Sequence, residues 1–113
     1  MRIINQAKKT TVAQEAVVAD TPLARVKGLL GKKELALHHA LILKPCNSIH
    51  TFFMQFPIDV LFMDRNNAVV AALSDVQPFR LSRLYYNAHC VIELPAGTIA
   101  ATSTTAGDTL AFE

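Results

Sequence analysis

Between Cys46 and Asp59 the chain reads Cys-Asn-Ser-Ile-His-Thr-Phe-Phe-Met-Gln-Phe-Pro-Ile-Asp, which places a thiol, an imidazole and a carboxylate within fourteen residues. These types can make a nucleophile: Cys46 attacks, His50 takes its proton and Asp59 orients the ring. A thiol needs such help, because a pKa of about 8.5 leaves it mostly protonated at neutral pH. The local spacing matches no nucleophile signature, so a hydrolase or transferase using Cys46, His50 and Asp59 ranks below a use without catalysis. Cys46, His50, His89 and Cys90 are also zinc-type ligands. His89 and Cys90, however, are neighbours in an expected strand, where successive side chains leave by opposite faces. No Cys-x-x-Cys pair supports them, and neither metal nor cofactor is expected.

The second set of candidates is built for binding. Arg25 is a long cation on the one firm helix, able to hold an anionic oxygen with two parallel donors. Glu93 lies inside the apolar run Cys90-Val91-Ile92-Glu93-Leu94. Strand alternation would turn it to solvent, the favoured reading, since buried charge is rare; the alternative is burial against Arg25. His50 has a structural alternative too, as a partly buried imidazole bonded to a carboxylate or carbonyl. For Asp59 the alternative is a side chain that holds nearby backbone amides at a strand start. Phe52, Phe53, Phe56 and Phe62 read first as core, and Phe52, Phe53 and Met54 secondarily as walls of a ligand cleft.

These groups must be positioned by the surrounding elements. Val12, Val17 and Val18 predict a strand over Thr11–Ala19. Thr21 as cap and Pro22 in the first turn predict a helix over about 22–30, with Leu23, Val26 and Leu30 as its apolar stripe and Gly31 at its end. Strands are expected at Ala40–Leu43, Ile49–Met54 and His89–Leu94, and a hairpin pairs Val60–Asp64 with Ala68–Leu73 across Arg65-Asn66-Asn67. A short helix near 97–102 and a last strand, Thr109–Glu113, complete the pattern. The expected fold is α+β: a single compact domain over 1–113, with a mostly antiparallel, partly barrel-like sheet.

Composition sets the outer bounds. The 113 residues suit one domain, and 51% apolar with 18% charged residues excludes a disordered chain. The longest apolar run, Ala68–Leu73, is far short of the eighteen or so residues of a membrane span. The start lacks the apolar core of an export signal, so a soluble, cytoplasmic protein is expected. Net charge is +2, with an excess of +5 in residues 1–56 and −3 in residues 57–113. No Lys/Arg run exceeds two and no aromatics interleave, so the basic half reads as a solvated face and no nucleic acid or membrane partner is expected. Two cysteines do not make a disulfide scaffold, and free thiols are expected.

Taken in order, Arg25-x-x-Gly28-Leu29-Leu30, then Ile49-His50-Thr51-Phe52-Phe53-Met54, then Phe56-Pro57-Ile58-Asp59-Val60-Leu61-Phe62-Met63-Asp64 resemble the bacterial and archaeal domain of unknown function 192 family. Val91-Ile92-Glu93-Leu94-Pro95-Ala96-Gly97 and Gly107-Asp108 continue the likeness, which spans residues 19–113. The resemblance implies a small α+β domain and brings no established activity. It singles out Arg25, Gly28, His50, Met54, Pro57, Asp59, Glu93, Gly97 and Asp108. Many relatives carry a Trp-Met-Lys-Asn-like run before Pro-Leu-Asp. Here Phe53-Met54-Gln55-Phe56 replaces it, and any role of that Lys and Asn is not carried over. The leading expectation is a non-catalytic binding or accessory module. Its cleft lies where the His50–Asp59 segment meets Arg25 and Glu93 and suits a small polar or anionic molecule or a peptide. A structural or oligomeric role, as a monomer or weak homodimer, is the remaining class.

Overall fold

Three largely apolar segments bounded by turn residues, two of them carrying a single acid (Asp59 and Glu93), become the centre of a five-stranded sheet. The computed structural model describes all 113 residues. In chain order the elements are β1 (Ile3–Asn5), β2 (Thr10–Ala13), β3 (Glu15–Ala19), α1 (Pro22–Lys27), β4 (His39–Leu43), β5 (Ile58–Met63), β6 (Val69–Val76), β7 (Cys90–Pro95), α2 (Thr98–Thr102) and β8 (Leu110–Phe112). The larger sheet runs β3-β4-β7-β5-β6, and a smaller one runs β2-β1-β8. All pairings are antiparallel except β3 with β4, whose parallel pairing requires the crossover that α1 and the following loop supply. The fold is therefore α+β, as expected, but its two sheets do not close into a barrel. A radius of gyration of 12.5 Å is that of one compact domain of this length.

Side-chain alternation gives the large sheet two different faces. Leu61, Met63, Ile92, Leu94, Ala40 and Ile42 pack with Ile3, Val12, Ile99 and Leu110, so this face is closed by the small sheet and α2. Val60, Phe62, Val91 and Leu43 point the other way, toward Leu29, Ile49 and Met54, under α1 and the long loops. Phe62 is fully buried there; truncating such a side chain costs about 3–5 kcal/mol. No helix is long and apolar enough to cross a membrane.

Several expectations are corrected. The predicted strand Thr11–Ala19 is two strands in two sheets, parted at Gln14. The first helix ends at Lys27 rather than near residue 30. Its cap is Gly28, at φ 43°, whose N–H donates to the Ala24 carbonyl at 2.9 Å. The Thr21 side chain does accept from Ala24 N–H, and Pro22 opens the first turn. The predicted apolar stripe is not buried: Leu23 and Val26 are 79% and 72% exposed, because six residues make too little helix to lay a stripe on the sheet. Ile49–Met54 forms no strand, only a bridge between His50 and Leu81. Its backbone is taken up by the segment at 77–82 and broken at Phe53, which has φ 64°. The hairpin, the strand near 90–94, the short helix near 98–102 and the last strand all form, and β1 is an additional three-residue strand.

Candidate functional site

The centre of the site is Glu93. It stands on β7 between Leu41 of β4 and Val60 of β5, with its side chain on the face that α1 covers. Exposure by alternation is therefore corrected: β7 is an inner strand with both faces packed, and Glu93 is only 4% exposed. Burial alone, with no neighbouring donor or charge to offset it, pushes its carboxyl up to about 7.

Arg25 approaches from α1. Its Nη1 donates to the Pro45 carbonyl at 2.9 Å, which fixes the guanidinium, while its Nε is buried with no partner. The bidentate pair with Glu93, the alternative to exposure, does not form either. The ion pairs of the chain are Arg2 with Glu113 and Lys8 with Asp108. Arg25, Gly28, Cys46, His50, Met54 and Glu93 instead line one cavity of about 140 Å³. Met54 is a buried wall, and His50 is an exposed group at the mouth. The His50 ring stacks on Phe52, with centroids 5.2 Å apart, and its Nδ1 accepts from Phe52 N–H at 3.3 Å. In the neutral ring this leaves Nε2 as the donor.

The nucleophilic set is not assembled. The Cys46 thiol donates to the Ser48 carbonyl at 3.0 Å rather than facing an imidazole base. Burial pushes this thiol up and the Glu93 charge adds to that, against smaller opposing effects of the Ser48 and Asn47 backbone and Arg25. Such a thiol is held protonated. Asp59 is elsewhere: it pairs with Leu94 across the β5–β7 ladder and so projects from the opposite face to Glu93. It is fully buried, and its two oxygens accept from the amides of Asp75 (2.8 Å), Gly97 (3.1 Å) and Ile99 (2.8 Å). Asp59 thus holds backbone amides, though remote ones, and is neither a ring orienter nor a wall of the cleft. Phe52 and Phe53 do not line the cavity either. Phe53 is 75% exposed and meets Phe79 edge to face at 5.6 Å. Cys46, His50, His89 and Cys90 do not converge: no three His, Cys, Asp or Glu side chains form a ligand set. Both cysteines are free.

Two positions had no clear sequence signal. Thr51 is fully buried; its hydroxyl donates to the Gln77 carbonyl at 2.7 Å and accepts from Arg80 N–H at 2.9 Å, which ties the loop bearing Cys46 and His50 to the next long loop. Pro45 matters only through its carbonyl, which no side-chain pattern announces. Gly28, singled out by the resemblance, both closes α1 and lines the cavity, at a φ that other residues rarely adopt.

Buried polar groups, one closing helix over an inner strand, and a small cavity between them define a class of small α+β domains. Residues 3–112 match the family model of domain of unknown function 192, described as an uncharacterised ACR, and the chain belongs to that family. It is 37% identical over 98 residues to the UPF0127 protein PH1112 of Pyrococcus horikoshii, covering 84% of each chain. Among solved structures it is similar to a protein of unknown function from Novosphingobium aromaticivorans, with a TM-score of 0.82 and 17% identity, covering 99% of this chain and 84% of that one. It is also similar to a Sinorhizobium meliloti protein described as a candidate transcription regulator, with a TM-score of 0.80 and 22% identity, covering 97% and 89%. At these identities the structural likenesses show the fold alone.

Proposed function

We propose that this protein is a small-molecule binding module whose cavity beneath α1 takes a small polar or anionic ligand without reacting with it. The observation that carries this reading is a mismatch in the cavity wall. A buried guanidinium N–H has no acceptor and a buried carboxyl has no donor, although both line the same space. A polar group left unpaired in a buried site costs about 1–3 kcal/mol, so a buried Glu93 that lines the cavity without a donor favours an occupant that supplies one. A cavity of about 140 Å³ favours a small molecule over a peptide. Catalysis through Cys46 draws no support from a thiol that burial keeps protonated and that donates to a carbonyl.

The test is a thermal-shift screen against a broad metabolite panel. A ligand at a hundred times its Kd stabilises by about 2.7 kcal/mol, which raises the melting temperature of such a domain by about 10 °C. The shift should be present in the wild type and absent in the Arg25→Ala/His50→Ala variant, while circular dichroism shows both folded. A panel in which nothing shifts the wild type, or in which the double variant shifts equally, overturns the reading.

A further inference from the structure

We propose that the cavity selects a zwitterion of amino-acid size, with its anionic oxygens on the Arg25 guanidinium and its ammonium on the Glu93 carboxylate. This rests on the binding reading above and narrows it to a ligand class.

Three observations point to it. First, the wall carries one half-buried cation, Arg25, and one buried acid, Glu93, that are not paired with each other. Each is held in place independently: Arg25 by its bond to the Pro45 carbonyl, Glu93 by an inner strand between Leu41 and Val60. Fixed opposite charges that leave a gap suit a ligand carrying the complementary pair. A plain anion would satisfy Arg25 but bring a second negative group beside Glu93, and a plain amine would do the reverse with Arg25. Second, the other titratable groups of the lining do not substitute for either anchor. The Cys46 thiol is committed to Ser48, Lys27 is exposed on α1, and His50 is exposed at the mouth, where its Nε2–H can only add a donor for the anionic end. Third, the volume of about 140 Å³ is close to that of a cavity which holds a benzene-sized molecule, about six heavy atoms. Glycine and alanine fit that bound, and a longer side chain must leave through the mouth past His50.

The class has a protonic signature. Burial holds Glu93 near half-ionised around pH 7, so an incoming ammonium must drive it to the carboxylate. The proton passes to solvent, and binding of a zwitterion releases protons. A plain anion lodged on Arg25 would favour the protonated acid and take protons up.

The experiment is calorimetric titration of the full chain near pH 7 with glycine, L-alanine, acetate, ethylamine and acetamide, each in phosphate and in Tris to count protons. Glycine or L-alanine should bind at least about tenfold more tightly than acetate or ethylamine, with proton release. Glu93→Gln should abolish the release and weaken that binding about tenfold; Arg25→Gln, on an exposed helix, should weaken it comparably. Tighter binding of acetate or acetamide, proton uptake, or no heat from either amino acid overturns the zwitterion. In any of these outcomes the broader reading still stands if the metabolite panel shifts the wild type through Arg25 and His50, and falls only if that panel also fails.

Discussion

Glu93 is a carboxyl on an inner strand with no partner, and that condition has a consequence for the unliganded protein. Its folded pKa is raised from 4.5 to about 7, so the native state holds this proton more tightly than the unfolded chain does. The stabilisation this brings is complete below pH 4.5 and is lost as pH rises toward 7, an effect of about 3 kcal/mol for a shift of this size. Glu93→Gln should remove that dependence and be the more stable protein at pH 8. Denaturant unfolding of both proteins across pH 4–8 checks it. His89, whose pKa burial lowers, and Asp108, which Asn5 and Lys8 hold well below the usual carboxylate range, titrate alike in both proteins, so the difference curve isolates Glu93. Parallel curves would mean that Glu93 is solvated. Sequence alone could name this residue but not its state. The alternation argument assumes one wet face, and nothing local tells that β7 is sandwiched between β4 and β5.

At the scale of elements, Asp59 acts as a clasp between strands and a helix. α2 has only five residues and its N-cap is Gly97, which has no side chain to cap it, so the amides of Gly97 and Ile99 donate to Asp59 instead. The same carboxylate holds the Asp75 amide where β6 bends, at φ 54°. Asp59→Ala should cost on the order of 3 kcal/mol, since three amides lose their acceptor. Asp59→Asn, which keeps one carbonyl oxygen, should cost less. Both variants should retain ligand-induced shifts, because Asp59 lies on the face away from the cavity; loss of binding in a folded Asp59→Asn protein would place it in the site after all. What was legible here was local. The β5–β6 hairpin follows from Asp64, which accepts from the Asn66 and Ala68 amides, and from Asn67 at φ 64°. The start of α1 follows from Thr21 and Pro22. Ile49–Met54 misled because its residues suit a strand while its hydrogen-bond partners lie at 77–82, a loop whose approach depends on the buried Thr51. Arg25 and Glu93 stood out as isolated charges beside apolar runs, and their shared cavity was anticipated. Asp59 was misassigned because facing across a sheet depends on strand register, which composition does not carry.

The whole molecule divides its stability unequally between the two faces of its large sheet. One face is shut by a second sheet and α2 around a core running from Ile3 to Leu110. The other is covered by a single short helix with no fully buried residue and by loops, and this is the face that carries the cavity. A helix of six residues is far below the roughly 12–15 needed for independent stability, so α1 persists only through the Thr21 cap, the Arg25 bond to Pro45 and the packing of Leu29 that follows it. Such a cover is expected to open without unfolding the sheet, and under the binding reading that opening would admit the ligand. Native-state hydrogen exchange should therefore find the hydrogen-bonded amides of Arg25 and Gly28 exchanging through local opening, insensitive to low denaturant. The amides of β5 and β7, paired over six positions, should exchange only through global unfolding. A ligand that raises the melting temperature should slow the α1 amides most. Equal protection of α1 and β7 in the free protein would show that the cover is as rigid as the sheet, and that entry to the cavity takes another route.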